Sequence, residues 1–306
     1  MSFVSNVLSV LDWFFLIFTV ISVPFYVLIL VILIKYRAAL LKSSFITLCL
    51  TTGIADVWSI GHKIVFRVMP NYFFPSLIEN DTMATLNKMG LWSIYFMQVL
   101  GVWLMSFNRY YGIRSPQKYD VMWTKSFTTK AVLVQFLVPL LWSAPMLFPC
   151  CYSYYKPGFF VSFHNKQLQK LYDVLSAVIE AGILAPSIVL LYVLMFRWVY
   201  KRRKKAQANK PVVNVNTLNS TGASTTQAAK RNKMETNLAF LGLITSIPYV
   251  CLCVIYVHWA LGFDSDIASY LYHYLTNLFA TISPYLLVLF SSEVRAKFLE
   301  FIRVAH

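Results

Sequence analysis

Seven stretches of about 19 to 26 residues that carry almost no charge constrain this chain more than any other feature. At about 1.5 Å per residue, each is long enough as a helix to cross roughly 30 Å of hydrocarbon. Inside a bilayer every backbone N–H and C=O group must be hydrogen-bonded within the protein, so the stretches predict helices rather than isolated strands. With short flanks added, the predicted spans are 11–34, 43–68, 89–108, 131–151, 172–199, 236–260 and 267–291.

The composition also indicates a membrane protein. Of 306 residues, 58% are hydrophobic and only 13% are charged, a balance that leaves too little polar surface for a water-soluble domain of this size. We therefore predict an all-α membrane protein in which residues 1–306 form a single seven-helix transmembrane domain.

The distribution of lysine and arginine predicts the orientation of the bundle. Twenty-one of the 27 lie in, or at the ends of, the connections that follow spans 1, 3 and 5 or after span 7, whereas four lie in the alternate connections. By the positive-inside rule the N-terminus is extracellular and the C-terminus cytoplasmic. The net charge of +15 then reflects contact with anionic inner-leaflet lipid. For the basic cluster at 201–205, membrane flanking is favoured over nucleic-acid binding.

Two segments on the predicted cytoplasmic side have distinct patterns. Residues 201–234 are polar and rich in serine and threonine, which predicts a flexible cytoplasmic loop. Residues 292–304 have apolar side chains spaced for one face of a helix, with basic residues between them. We predict a short amphipathic helix there, lying along the inner leaflet. Its apolar positions are Val294, Phe298, Phe301 and Ile302.

Signals for modification, metal binding and catalysis are sparse. The pattern Asn80-Asp81-Thr82 in a predicted outer loop makes Asn80 a candidate for N-glycosylation. The five cysteines and five histidines form no close ligand spacing, so neither a metal nor a cofactor is predicted. Neither a nucleophile elbow nor a phosphate-binding glycine loop is present, and an enzyme is not expected.

Polar residues inside the spans are the candidates for function. Asp56 lies near the middle of the second span, where a carboxylate facing lipid would cost several kcal/mol. Arg109 ends the third span about three turns after Gln98, so the two share one helix face. A lone arginine at a span end can snorkel to lipid phosphate, whereas one on a polar face points into the bundle.

Taken together, these residues resemble the rhodopsin-like G-protein-coupled receptors. "SFNRYY" at 106–111 ends the third span with the arginine–tyrosine pair of that family, and "SPYLL" at 283–287 stands where its Asn-Pro-x-x-Tyr motif ends the seventh. Departures are Asn108 for the usual acid, Ser283 for the asparagine and Leu287 for the tyrosine. The resemblance implies a G-protein switch at Asn108, Arg109 and Tyr110, and an intramembrane switch at Asp56, Gln98, Asn277, Ser283 and Pro284.

A narrower group accommodates the departures. "VISVPFYVLILVILIKYR", "KSSFITLCLTTGIADVWS", "LMSFNRYYGIRSP" and "ISPYLLVLFSSEVRAKF" resemble the nematode serpentine chemoreceptors, in particular class V of the Srg superfamily, over nearly all of the chain. This implies a chemosensory receptor in the plasma membrane of a sensory neuron, including its cilium. Such a receptor binds a small external molecule and activates a heterotrimeric G protein.

Helical spacing nominates residues for the ligand pocket, because pockets combine aromatic walls with a few convergent polar groups. Tyrosines also anchor helices at headgroups and fill bundle cores, and this alternative stays open. Glu180 has three interpretations: it binds a cationic or hydroxyl-bearing ligand, it pairs with Lys63 or Arg67, or it is a protonated core residue. The predicted ligand-binding residues are Trp92, Tyr95, Glu180, Tyr249, Tyr256, Tyr270 and Tyr274.

Two other functions compete with the receptor. Asp56 and Glu180 could serve a seven-helix transporter by relaying protons or binding substrate, although the sequence has no matching halves. A retinal-binding opsin needs a lysine in the seventh span for its Schiff base, and 267–291 contains none.

Overall fold

The computed structural model describes residues 2–36, 44–76, 81–148, 153–156, 160–208, 222–263 and 266–305. Within these residues, seven helices are long and apolar enough to cross a membrane, which confirms the predicted seven-helix bundle. We call them spans 1 to 7 in chain order. They are Trp13–Lys35, Ser44–Phe66, Asp81–Arg114, Lys125–Leu147, Lys166–Arg202, Gly242–Ala260 and Ile267–Phe290.

Most helices extend beyond the apolar stretches that reveal them. The third, for example, is Asp81–Arg114 rather than 89–108. A hydropathy pattern locates the lipid-embedded part, whereas a helix continues into water as long as no residue breaks it. The α-helices that form the spans are Ser2–Lys35, Ser44–Lys63, Asp81–Arg114, Lys125–Ser143, Lys166–Ser176, Ala185–Ala208, Gly222–Ala260 and Asp266–Phe290.

Shorter helical pieces complete the chain. Two are π-helical, Ile64–Val68 at the end of span 2 and Ala177–Leu184 in the middle of span 5. A 3₁₀ turn at Ala144–Leu147 ends span 4. The remaining helices are Met69–Tyr72, Pro116–Met122 and Ser292–Ala305.

The predicted flexible loop over 201–234 is wrong at both of its ends. Residues 201–208 continue the helix of span 5, and residues 222–234 begin the helix that becomes span 6. Both ends are rich in alanine, lysine, arginine and glutamine, which have high helix propensity. Low hydrophobicity alone therefore led to the prediction of an irregular loop where these two ends are helical. Residues 209–221 lie outside the described residues, as does Asn80 with its predicted glycosylation.

Span 3 lies at the centre of the bundle, where it contacts spans 2, 4, 5 and 6. In its most apolar segment 67% of the residues are buried, against 28% in span 4. Span 4 instead presents an apolar outer face, which suits contact with lipid tails rather than water. That face is formed by Leu133, Val134, Leu137, Val138 and Leu141.

A short hairpin, which the sequence patterns did not reveal, lies between spans 4 and 5. Strand β1, Ser153–Lys156, pairs antiparallel with β2, Phe160–Phe163. Four residues are too few for alternation to stand out in a sequence. Phe163 is fully buried against Trp92 and Tyr172. The hairpin therefore packs against one end of spans 3 and 5.

The helix Ser292–Ala305 packs against spans 1 and 7. Val294 is fully buried, and Phe298 and Phe301 pack against the same hydrophobic cluster as Ile29 of span 1. Ile302 is 36% exposed. Most of the predicted apolar stripe thus contacts protein, and the position of this helix along the inner leaflet stays a prediction.

Candidate functional site

A buried carboxylate joins the first three spans. Asp56 of span 2 is 2% exposed. It accepts hydrogen bonds from the hydroxyl of Tyr26 in span 1 and, at 2.7 Å, from Nε2 of Gln98 in span 3. A buried carboxylate is tolerated when such donors replace water. The sequence nominated Asp56 and Gln98 but missed Tyr26, because nothing distinguishes it from the other aromatic residues of an apolar span.

Lys63 connects the second span to the seventh. Its ammonium group is buried and donates to Oδ1 of Asn277 at 2.8 Å and to the hydroxyl of Thr276 at 3.1 Å. The alternative in which Lys63 pairs with Glu180 is therefore wrong. Asn277 lies at the interface between spans 2 and 7, and its Nδ2 lies 3.2 Å from Nε2 of His273.

A cavity reaches from this polar core to the end of span 3, and we call it the Arg109 cavity. Its empty space, counted with its open mouth, is about 650 Å³. Asp56, Ser283, Pro284 and Arg109, four of the predicted switch residues, line it together with mainly apolar side chains of spans 1, 2, 3 and 7 and with residues of spans 5 and 6. The sequence thus identified residues from three spans that share one internal space.

Arg109 interacts with an aromatic ring. Its guanidinium carbon lies 3.4 Å from the centroid of the Phe45 ring in span 2, a cation–π contact. The neighbouring residues point elsewhere: buried Asn108 accepts a hydrogen bond of 3.1 Å from Tyr119, and Arg114 donates to the Tyr110 hydroxyl at 2.7 Å. Asn108 therefore contacts the helix that follows span 3, and Tyr110 contacts the last residue of span 3; neither is among the residues that line the cavity.

Spans 3, 5 and 6 pack closely beside the Arg109 cavity. The hydroxyls of Ser106 in span 3 and Tyr192 in span 5 are hydrogen-bonded at 2.9 Å. The same Tyr192 hydroxyl lies directly against Gly242 of span 6, where any Cβ atom would overlap it. Gly242 was not nominated, because one glycine in an apolar helix gives no signal until its neighbour is known.

A cluster of aromatic rings occupies the interface of spans 3, 6 and 7. Ring centroids of Tyr249, Tyr256 and Tyr272 lie 5.7 to 6.5 Å from that of Tyr95. We call these four residues the tyrosine cluster. Trp92 extends it, with its ring centroid 6.4 Å from Tyr256. The nominated Trp92, Tyr95, Tyr249 and Tyr256 therefore come together, whereas Tyr272 was missed.

Glu180 of span 5 lies beside this cluster. It is 4% exposed and sits within the π-helical segment Ala177–Leu184. The Tyr249 hydroxyl donates to the backbone carbonyl of Glu180 at 2.8 Å. The Tyr95 hydroxyl lies next to the Glu180 carboxylate, but within the described residues neither Oε2 of Glu180 nor that hydroxyl forms a hydrogen bond of normal geometry.

The structure does not bring Tyr274 to the tyrosine cluster. Its ring stacks on Phe15 of span 1, with centroids 4.8 Å apart, and Tyr270 lies one turn away on the same helix face. The seventh span carries tyrosines at 270, 272 and 274, so its two faces look alike in sequence. Helical spacing selected the face that meets span 1 instead of the face that meets spans 3 and 6.

Comparison with known proteins agrees with the seven-helix architecture. Residues 15–304 match the family model described as serpentine type 7TM GPCR chemoreceptor Srv. The chain is also similar to "Serpentine receptor class V-1" of Caenorhabditis elegans, at 25% identity over 155 residues. That alignment covers 49% of this chain, and the chain spans about half, 50%, of the length of this curated relative.

Proposed function

The chain belongs to the serpentine type seven-transmembrane chemoreceptor family Srv, and we propose that it binds a small external molecule and activates a heterotrimeric G protein. The observation that carries this proposal is the Arg109 cavity. Arg109 at the end of span 3, Asp56 of span 2 and Ser283 and Pro284 of span 7 line one internal space. A movement of any of these spans therefore changes the surroundings of the Arg109 side chain.

In the proposed mechanism, ligand binding separates spans 5 and 6 and opens this cavity to the G protein. The contact between Tyr192 and Gly242 closes the interface of these spans in the present structure. Arg109 is meanwhile held over the Phe45 ring. A cation–π contact contributes about 0.5 to 2 kcal/mol, within the few kcal/mol that separate conformations of a two-state protein. The binding energy of a small ligand is therefore sufficient to release Arg109 from the Phe45 ring.

Asp56 and its partners would act as the intramembrane part of the switch. Its carboxylate connects spans 1, 2 and 3 through Tyr26 and Gln98, and Lys63 connects span 2 to Asn277 of span 7. Any shift of one span changes these hydrogen bonds. Polar groups buried in a bundle are costly to leave unpaired, so such a network favours discrete arrangements over gradual distortion.

We place the ligand at the tyrosine cluster with Trp92 and Glu180, because aromatic walls and a few polar atoms meet there. The proposed location is the plasma membrane of a sensory neuron, including its cilium. The N-terminus is then extracellular, and the basic connections and C-terminal helix contact anionic lipid of the inner leaflet.

A screen on cells that express the chain together with promiscuous G proteins tests the proposal. A compound that raises second-messenger levels only in receptor-expressing cells is the expected result. Uptake of the same compounds, measured in the same cells, distinguishes a transporter from a receptor. Accumulation of a compound without any G-protein response would contradict the receptor function.

A further inference from the structure

Glu180 combines deep burial with an oxygen that nothing in the described structure pairs. Its side chain is 4% exposed, and Oε2 lacks a hydrogen-bond donor among the described residues. The hydroxyl of Tyr95, 3% exposed, lies next to this carboxylate but forms no hydrogen bond of normal geometry with it or with any other described residue. Buried polar atoms are almost always hydrogen-bonded in native proteins. A buried pair from two spans that is close together but not well bonded indicates a site completed by another molecule.

Two basic side chains of spans 2 and 3, Lys63 and Lys88, are engaged elsewhere. Lys63 donates to Asn277 and Thr276 of span 7. Lys88 lies over the rings of Trp92 and Phe163, at 5.7 and 5.2 Å from their centroids. In the described part of the chain no basic residue forms an ion pair with Glu180. Within the described residues the Glu180 carboxylate therefore lacks any donor besides the Tyr95 hydroxyl, and a positively charged donor complements a carboxylate best.

The rings around Glu180 favour the same charge. Tyr95 lies among Tyr249, Tyr256 and Tyr272, with centroid distances of 5.7 to 6.5 Å. Aromatic faces carry partial negative charge, so they attract a cation and repel an anion. A carboxylate lined by aromatic rings is the usual arrangement for an ammonium group.

The backbone at Glu180 is also unusual. Residues Ala177–Leu184 form a π-helix, a geometry that occurs frequently at functional sites. This segment has small side chains on both sides of the glutamate, at Ala177, Ala181 and Gly182.

We propose that the Glu180 carboxylate and the Tyr95 hydroxyl bind the ammonium group of a small protonated amine, with the tyrosine cluster around its apolar part. This inference rests on the proposed receptor function, because it names the ligand class of that receptor. It also gives the ligand a route to span 6. The Tyr249 hydroxyl is bonded to the Glu180 carbonyl at 2.8 Å, so a ligand that moves span 5 at Glu180 acts on span 6 directly.

Purified receptor in lipid nanodiscs provides the test. The probes are three amines, 2-phenylethylamine, isoamylamine and trimethylamine, and two neutral analogues, 2-phenylethanol and isoamyl alcohol. The readout is the ligand-induced rise in Tm as a function of probe concentration. We expect at least one amine to bind roughly 10- to 100-fold more tightly than the alcohols, because a hydrogen bond to a charged group is stronger than a neutral one.

Variants of Glu180 and Tyr95 test whether the preference for amines over alcohols arises at this site. Glu180→Gln keeps the shape and removes the charge, so the preference for amines should fall to less than about threefold. Tyr95→Phe should weaken amine binding severalfold without removing the preference. Glu300→Gln makes the same chemical change on the C-terminal helix, where the glutamate is exposed, and should bind amines like the wild type.

Three results would overturn the inference: amines that bind no better than the alcohols, amines that fail to shift the Tm of the wild type, or unchanged amine binding in both site variants. Nucleotide exchange on a G protein, measured in the same nanodiscs, keeps the two proposals apart. Amine binding that depends on Glu180 but never promotes exchange would contradict the receptor function alone. Exchange promoted by a neutral compound equally in wild type and Glu180→Gln would contradict the amine site alone.

Discussion

Gly242→Ala should raise the basal signalling of the receptor. A Cβ atom at this position would lie 2.6 Å from Cζ of Tyr192 and nearer still to its hydroxyl. Contacts this close force the neighbour to move. Either Tyr192 turns away from Ser106, or span 6 moves away from span 5, which is the motion proposed for activation.

The size of the effect follows from these contacts. Breaking the Ser106–Tyr192 hydrogen bond costs about 0.5 to 1.5 kcal/mol, and overpacking a tight interface costs about 1 to 3 kcal/mol. The overpacking cost alone, which the separated arrangement avoids, stabilises that arrangement relative to the closed one by about 1 to 3 kcal/mol. This corresponds to roughly 5- to 150-fold.

Basal nucleotide exchange per receptor in nanodiscs, with no ligand added, measures this shift. Gly61→Ala is the matched control, because a Cβ atom there would meet nothing within 4 Å. In the Tyr192→Phe background the nearest clashing atom is gone, so Gly242→Ala should add much less than it does in the wild type. Wild-type basal exchange in Gly242→Ala, or an equal rise in Gly61→Ala, would refute the proposed role of this contact.

The remaining predictions concern orientation, the polar core and the C-terminal helix. An epitope after Ser2 should be accessible on intact cells and one after His306 only after permeabilisation; the opposite pattern would refute the orientation. Asp56→Asn, which keeps the shape near Tyr26 and Gln98, should change the ratio of basal to agonist-evoked signalling at normal surface expression, and an unchanged ratio would contradict a switch role. Phe298→Ala removes an edge contact to Phe25 and should lower the free energy of unfolding by about 1 to 3 kcal/mol, measured by thermal unfolding in detergent. The exposed Leu299 is the control, since Leu299→Ala should cost about 0.5 kcal/mol or less.

The most successful predictions from sequence came from the positions of charged residues and from the long stretches that lack them. The seven spans follow from the cost of charge in hydrocarbon, and the same cost drew attention to Asp56 and Glu180. Helical periodicity placed Gln98 and Arg109 on one inward face of span 3, and the structure shows that Gln98 is hydrogen-bonded to Asp56. These inferences depend on the residues of one span and on the surrounding lipid, so they could be made without knowing which residues of other spans lie nearby.

Features that depend on two spans at once escaped the sequence. Tyr26 and Tyr272 look like other aromatic residues until Asp56 and Tyr256 are placed beside them. The need for glycine at 242 is evident only once the Tyr192 side chain is seen to occupy the space of a Cβ atom there. Tyr274 was nominated and lies against span 1 instead, because a helix with aromatic residues on two faces does not reveal which face meets which neighbour.

The most direct test of the central proposal is nucleotide exchange on a purified heterotrimeric G protein by wild type, Arg109→Ala and Arg109→Lys in nanodiscs. We predict that wild type accelerates exchange, that Arg109→Ala lowers the acceleration by roughly tenfold or more, and that Arg109→Lys is intermediate because lysine lacks the planar group that stacks on Phe45. Ligand-induced rises in Tm should stay the same in all three, because Arg109 lies far from the tyrosine cluster. Exchange that depends only on the amount of folded receptor, with all three proteins equally active, would show that Arg109 is merely a membrane anchor and would contradict the proposed switch.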